Sequence, residues 1–251
     1  MRNLDLFSQI AHVDVPWGDS IINVPIFYYD MSVIGVAFLT PIARIQPLLP
    51  SPRLYPLRVT PWHGMTTITA YEYRDCDLGP YNEVSIGFPV TLDRASPVFT
   101  GVLRKLQGVP KVYVHHLPVT TEIARDAGVE FANFPKFLAD IAFESKGGWR
   151  RCHLSEAQNP ILTLAVRELS VQPTERTYIH TLTFREGRIL RLELILSERD
   201  QAMSRDSAHV RLELGDHPIG QELRALELGR MVYCQYAPKC QVILSPVLES
   251  F

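Results

Sequence analysis

The feature that most constrains this chain is a succession of strand-length segments in which apolar residues alternate with polar ones or run on unbroken. They include "TTITAYEYR" (66 to 74), "EVSIGFPVTL" (83 to 92), "KVYVHHLPVT" (111 to 120), "ILTLAVREL" (161 to 169), "TYIHTLTF" (177 to 184) and "RILRLELILSE" (188 to 198). A two-residue period sends successive side chains to opposite faces of a sheet. "HVRLELG" and "CQVILSPV" read as further strands. The turn "REGR" between two of these segments contains Gly187, which takes positive φ without a steric cost, so a β-hairpin is expected there. Because strands follow one another through short turns with few intervening helices, the pattern predicts antiparallel pairing in a barrel or sandwich.

Three short helices are expected. "TPIARIQPLL" has Thr40 as a candidate N-cap and Pro41 at the first helical position. "TTEIARDAG" offers Thr120 or Thr121 as cap and Gly128 as a stop, and "PIGQELRALELG" begins after His217 and ends at Gly229. No repeat or low-complexity linker divides the 251 residues, so a single α+β domain over 1–251, mainly antiparallel, is expected, with a β-barrel-like core as one of the two arrangements the strands allow.

Composition narrows the function classes. With 25 Lys plus Arg against 27 Asp plus Glu, the net charge of −2 supplies no electrostatic footprint for nucleic acid or an anionic membrane. The N-terminus does not read as a signal peptide, and the longest apolar run, "VIGVAFL" at 33 to 39, falls far short of the ~20 residues that span a bilayer. A cytoplasmic protein is expected. Cys76, Cys152, Cys234 and Cys240 lack CxxC spacing and are expected as reduced thiols. No GxGxxG, P-loop, GxSxG or HExxH motif is present. His115 and His116 are adjacent on a predicted strand, so alternation places them on opposite faces and argues against a shared metal ion.

The stretch "FANFPKFLAD" (131 to 140) sets Lys136 after a proline and among aromatic residues. If 133–143 form a helix, Phe134, Phe137, Leu138 and Ile141 make an apolar stripe and Lys136 falls on the wet face near Asp140. Two details point the other way. Pro135 in a first helical turn would set the ammonium against the positive end of the helix dipole, and the neighbouring Phe134 and Phe137 could form a water-poor wall. Glu83, at the head of an apolar strand, is an ordinary surface acid by itself and gains meaning beside a lysine.

"GPYNEVSIGFPV" and "EIARDAGVEFANFPKFL" together resemble the acetoacetate decarboxylase family, in which a glutamate opens an apolar run and an aromatic-Pro-Lys carries the Schiff-base lysine. "LLPSP" (48 to 52) resembles that family's early proline turn, and the likeness extends from about residue 15 to the C-terminus. The resemblance implies Lys136 as nucleophile and Glu83 as pocket carboxylate, with Phe134, Phe137, Glu122 and Glu130 as substrate-binding positions. It implies a cofactor-independent carbon–carbon lyase with a keto acid substrate, no metal, and a homo-oligomer. The family is a known instance of a lysine activated by its surroundings. A free lysine, pKa about 10.4, is almost wholly protonated at neutral pH and cannot attack a ketone, whereas burial can lower that value by up to about 3–5.

Departures from the family pattern matter. The second of two consecutive lysines is replaced by Phe137, Met31 aligns with an N-terminal arginine, and no arginine occurs between Arg2 and Arg44. "RASPVFTGVLRKLQG" (94 to 108) lengthens the span from Glu83 to Lys136. These changes point away from acetoacetate itself while keeping imine chemistry. Aldol or dehydration chemistry through the same imine is the alternative within the fold, and a non-catalytic ligand-binding barrel is the alternative outside enzymology.

Overall fold

Alternating sequence becomes a ring. The computed structural model describes residues 6–8, 10–17, 20–95 and 109–251; all but the first two residues of the 94–108 insertion lie outside the described residues. In chain order the strands are β1 (Val13–Trp17), β2 (Ser20–Val24), β3 (Ile26–Pro41), β4 (Leu54–Pro56), β5 (His63–Cys76), β6 (Tyr81–Leu92), β7 (Lys111–Val119) and β8 (Lys136–Leu138). They continue as β9 (Asp140–Lys146), β10 (Trp149–Glu156), β11 (Asn159–Arg167), β12 (Thr177–Arg185), β13 (Arg188–Ser204), β14 (Val210–Leu214), β15 (Met231–Leu244) and β16 (Glu249–Ser250). The helices are α1 (Ile42–Ile45), α2 (Glu122–Ala132) and α3 (Pro218–Ala225).

Seven strands pair in the order β6-β5-β3-β15-β13-β12-β7, and β6 pairs again with β7, so the ring closes. Every contact in it is antiparallel except the short β12–β7 one, His180–Leu182 against Lys111–Tyr113. A second sheet, β14-β11-β10-β9, covers part of the outside. The faces follow the two-residue period. On β5 and β6, Ile68, Ala70, Val84, Ile86 and Phe88 point outward into a core shared with Cys152, Leu154, Ile161 and Leu164 of the second sheet. Tyr71, Tyr73, Glu83 and Ser85 point inward. Strands buried on both faces need unbroken apolar runs, which explains "VIGVAFL" within β3.

The expected hairpin is β12–β13, with Arg185 opposite Arg188 and positive φ at both Glu186 (49°) and Gly187 (82°). His217 caps α3, its Nδ1 accepting from the Ile219 N–H, and the helix stops at Ala225 rather than running to Gly229. α1 is shorter than the apolar pattern suggests: Pro41 is its N-cap, and Thr40 instead bonds Thr66 across the sheet. All four cysteines are free and buried, and burial pushes the Cys76 thiol up to about 12. No helix among the described residues is long and apolar enough to cross a membrane.

Three further expectations are corrected. Gly128 does not stop α2, which continues to Ala132 and ends at Asn133 in the left-handed region (φ 47°). Residues 133–143 do not form a helix: the residue before a proline is pushed out of the α region, and the chain runs extended through β8 and β9. The dipole argument for Lys136 therefore falls, because the lysine follows a helix C-terminus. Third, His115 and His116 share a face. Register slips on β7, where Ile86 pairs with His116 and Gly87 with Val114, which leaves His115 as the extra residue of a β-bulge. Val114 and Leu117 both point into the ring, so the two histidines between them both point out.

Candidate active site

The ring encloses a cavity of about 80 Å³ to which each of its seven strands contributes two residues. These are Tyr28 and Met31, Tyr71 and Tyr73, Glu83 and Ser85, Val114 and Leu117, Ile179 and Thr181, Leu194 and Leu196, and Val242 and Leu244. Phe134 and Lys136 complete the wall from the segment after α2.

Three local devices bring Lys136 there. The αL turn at Asn133 reverses the chain, and its amide and that of Phe134 bond back to Val129 and Gly128. The Asn133 side-chain amide donates to the Phe184 carbonyl, and Thr183 Oγ1 donates to the Ala132 carbonyl, so the helix end is latched to β12. β8 then pairs in parallel with β7, Lys136 opposite Leu117. The lysine stem lies across Gly128: a Cβ on that glycine would fall 2.6 Å from both Cδ and Cε of Lys136. Gly128 is thus the seat of the side chain, and no larger residue offers the same room.

Lys136 Nζ lies 2.9 Å from Glu83 Oε2, with the two side chains only 5% and 9% exposed. Glu83 Oε1 accepts from Tyr73 Oη at 3.2 Å. The Nζ atom sits 5.5 Å from the centre of the Tyr81 ring and 5.8 Å from that of Phe134, within cation–π range. Tyr28 and Tyr81 tilt against Tyr73, each ring centred 4.5 Å from it, and a 3.2 Å contact between the Tyr28 and Tyr81 hydroxyls ties the cluster. Burial first, and then the charge of Glu83, push Tyr28 and Tyr73 well above the ordinary phenol range. Tyr81 follows through burial, Tyr28 and Glu83. All three stay neutral near pH 7, which keeps Tyr73 a donor to the carboxylate.

Of the positions taken from the sequence, Lys136, Glu83 and Phe134 meet in this cavity. Phe137 turns away and packs on the outer core. Glu122 and Glu130 are exposed on α2, and Glu130 accepts from Trp17 Nε1 at 2.6 Å. Met31, aligned with the family's arginine, lines the cavity at 1% exposure, and Lys136 is the one cationic side chain in its lining among the described residues. Sequence reading missed Thr181, whose buried Oγ1 has no hydrogen-bond partner among the described residues, and the tyrosine cluster. The signal for the tyrosines was present: Tyr71 and Tyr73 share the inward phase of β5, opposite Glu83 and Tyr81.

A closed, mainly antiparallel ring around one buried lysine–carboxylate pair is the class of barrel that this fold and this site define. The family description acetoacetate decarboxylase (ADC) matches residues 13–237, and the chain belongs to that family. Among solved structures it is similar to the acetoacetate decarboxylase of Legionella pneumophila subsp. pneumophila str. Philadelphia 1, with TM-score 0.71, 14% identity, and 98% and 94% of the two chains covered. It is also similar to the enduracididine biosynthesis enzyme MppR complexed with the condensation product of pyruvate and imidazole 4-carboxaldehyde, with TM-score 0.63, 13% identity and coverages of 96% and 97%. An acetoacetate decarboxylase-like enzyme from Sphingomonas wittichii RW1 matches at TM-score 0.59 and 13% identity, covering 94% and 97%. At these identities the likeness is one of fold. No curated protein sequence matches the chain.

Proposed function

We propose that the protein is a cofactor-independent enzyme that forms an imine between Lys136 and a short keto acid and then breaks or makes a bond next to the imine carbon. The observation that carries this is the 2.9 Å contact between Lys136 Nζ and Glu83 Oε2 inside an apolar ring. Moving one proton across that contact yields a neutral amine and a neutral carboxyl without changing the net charge of a buried site, where an unpaired charge is costly. The amine can then attack a ketone carbonyl, and the Glu83 carboxyl can protonate the departing oxygen. At about 80 Å³, roughly half the ~150 Å³ of a cavity that admits benzene, the cavity restricts the substrate to a short keto acid and has to widen to admit it. Thr181 Oγ1 offers that substrate an unused hydrogen-bonding group.

Decarboxylation is the leading reaction. With a β-keto acid, the iminium draws the electrons of the bond between the adjacent carbon and the carboxylate, CO2 leaves, and the enamine takes up a proton before water releases the ketone. One observation favours condensation or dehydration instead: Met31 lies where a carboxylate-binding arginine is expected, so the lining holds no cation beyond Lys136 among the described residues. MppR, bound to a condensation product of pyruvate, shows this fold holding such a compound. A panel of acetoacetate, pyruvate and longer keto acids, reduced with borohydride and mapped by peptide mass, tests the imine. An adduct on Lys136 that is missing in Lys136→Ala is expected; no adduct with any member of the panel would sink the proposal. CO2 release on the same panel separates the two reactions.

A further inference from the structure

We propose that His115, His116 and Glu222 form a binding site for a divalent transition-metal ion of the zinc type on the outer wall of the ring. Nε2 of each histidine lies 2.9 Å from the same oxygen, Glu222 Oε1, and all three donor atoms fall within 4.8 Å of one another. Two imidazoles and a carboxylate are a donor set that borderline divalent ions prefer. With metal–ligand bonds of about 2.0–2.2 Å, tetrahedral ligands stand about 3.4 Å apart, so an ion enters after each histidine retreats from the carboxylate by roughly half an ångström.

The protein invests structure in this convergence. The β7 bulge turns two sequential histidines to one face, where a regular strand would separate them. The third ligand comes from α3, which is held firmly against the second sheet: a Cβ on Gly220 would fall 2.3 Å from the Gly215 carbonyl oxygen and 2.9 Å from that of Ile161. The Phe88 ring, centred 5.2 Å from that of His115, walls the inner side. The histidines are 14% and 22% exposed and Glu222 31%, which leaves a path for the ion and for a water on a fourth position. The lining of the cavity, Val114 and Leu117, lies on the opposite face of β7, so this site is separate from the lysine. An ion here would join the ring to the α3 side of the second sheet.

The test uses the untagged full-length protein, freed of metal with a chelator and titrated with Co2+ as an optical probe, then with Zn2+. One equivalent of Co2+ should bind, show visible ligand-field bands of a four- or five-coordinate site and be displaced by equimolar Zn2+. His115→Gln, His116→Gln and Glu222→Gln, each retaining a hydrogen-bonding group, should each weaken cobalt binding at least 100-fold. Wild-type binding no tighter than in these variants would overturn the site and leave a hydrogen-bonded clasp alone. Should the variants fail to fold, X-ray absorption of the wild-type zinc complex decides: two imidazole ligands support the site, and a coordination shell without imidazole overturns it.

Discussion

At the residue scale, the cavity sets single atoms against one another. Gly128 lies inside α2, where alanine is intrinsically better by about 1 kcal/mol, yet its added carbon would meet the Lys136 stem at 2.6 Å. The lysine end can yield only by leaving Glu83. Gly128→Ala is therefore expected to keep or slightly raise Tm while slowing borohydride trapping on the order of 100-fold, the scale at which ångström misplacement acts; unchanged trapping would refute the seat. Thr181→Val makes the complementary case. A buried hydroxyl without a partner costs about 1–3 kcal/mol, so the near-isosteric valine should raise stability within that range while raising KM for the keto acid. A fall in stability would show that the hydroxyl is satisfied. Lys136 and Glu83 each read alone as an ordinary surface charge, and the likeness to the family's two motifs is what paired them; the structure sets them 2.9 Å apart. Gly128 was read as a helix stop because its true partner, eight residues on, approaches only after the chain has reversed.

At the element scale, period-two alternation predicted most of the ring, including the β12–β13 hairpin, because one face meets the cavity and the other the second sheet. It failed where the backbone breaks the period. The β7 bulge puts His115 and His116 side by side, and an inserted residue leaves no trace in side-chain types. The segment 133–143 mimicked a helix because Phe137 packs on one core cluster and Leu138 on another, which places apolar residues on both faces of β8. What ends α2 is Asn133, which combines an αL backbone with a side-chain bond to Phe184. Asn133→Gly keeps the backbone and should cost about 1 kcal/mol for the lost bond. Asn133→Ala adds an αL penalty of roughly 1–2 kcal/mol. Urea titrations of the two variants should therefore rank alanine below glycine; the reverse order would mean that the turn itself carries no strain.

At the scale of the whole molecule, polar contacts tie the ring to the elements packed on its outside, among them those of Glu222 on α3 with the β7 histidines, Asn82 with Ile141 of β9, and Glu72 with Arg150 of β10. Glu72 on β5 accepts from Ser32 of β3 at 2.9 Å and from Arg150 of β10 at 2.6 Å, with Arg74 at 3.0 Å. Burial alone would raise its carboxyl, but the Ser32 hydrogen bond and the Arg150 and Arg74 contacts override it and hold the group below 4.5. A carboxyl depressed in the folded state contributes stability that is fully present above its unfolded value and is lost as pH falls through the folded one. The loss thus belongs below about pH 4.5, not in the neutral range. Glu72→Gln should cost about 1–2 kcal/mol at pH 7, between the values for exposed and fully buried pairs. Urea unfolding at pH 7 and pH 3 checks the sign: the gap between wild type and variant should narrow in acid, because the wild-type carboxyl protonates while the amide does not change. A gap that stays constant would mean that Glu72 holds the layers together by shape and hydrogen bonding rather than by charge, and acid sensitivity would then have to come from other carboxylates depressed in the same way, such as Asp30 against Arg74.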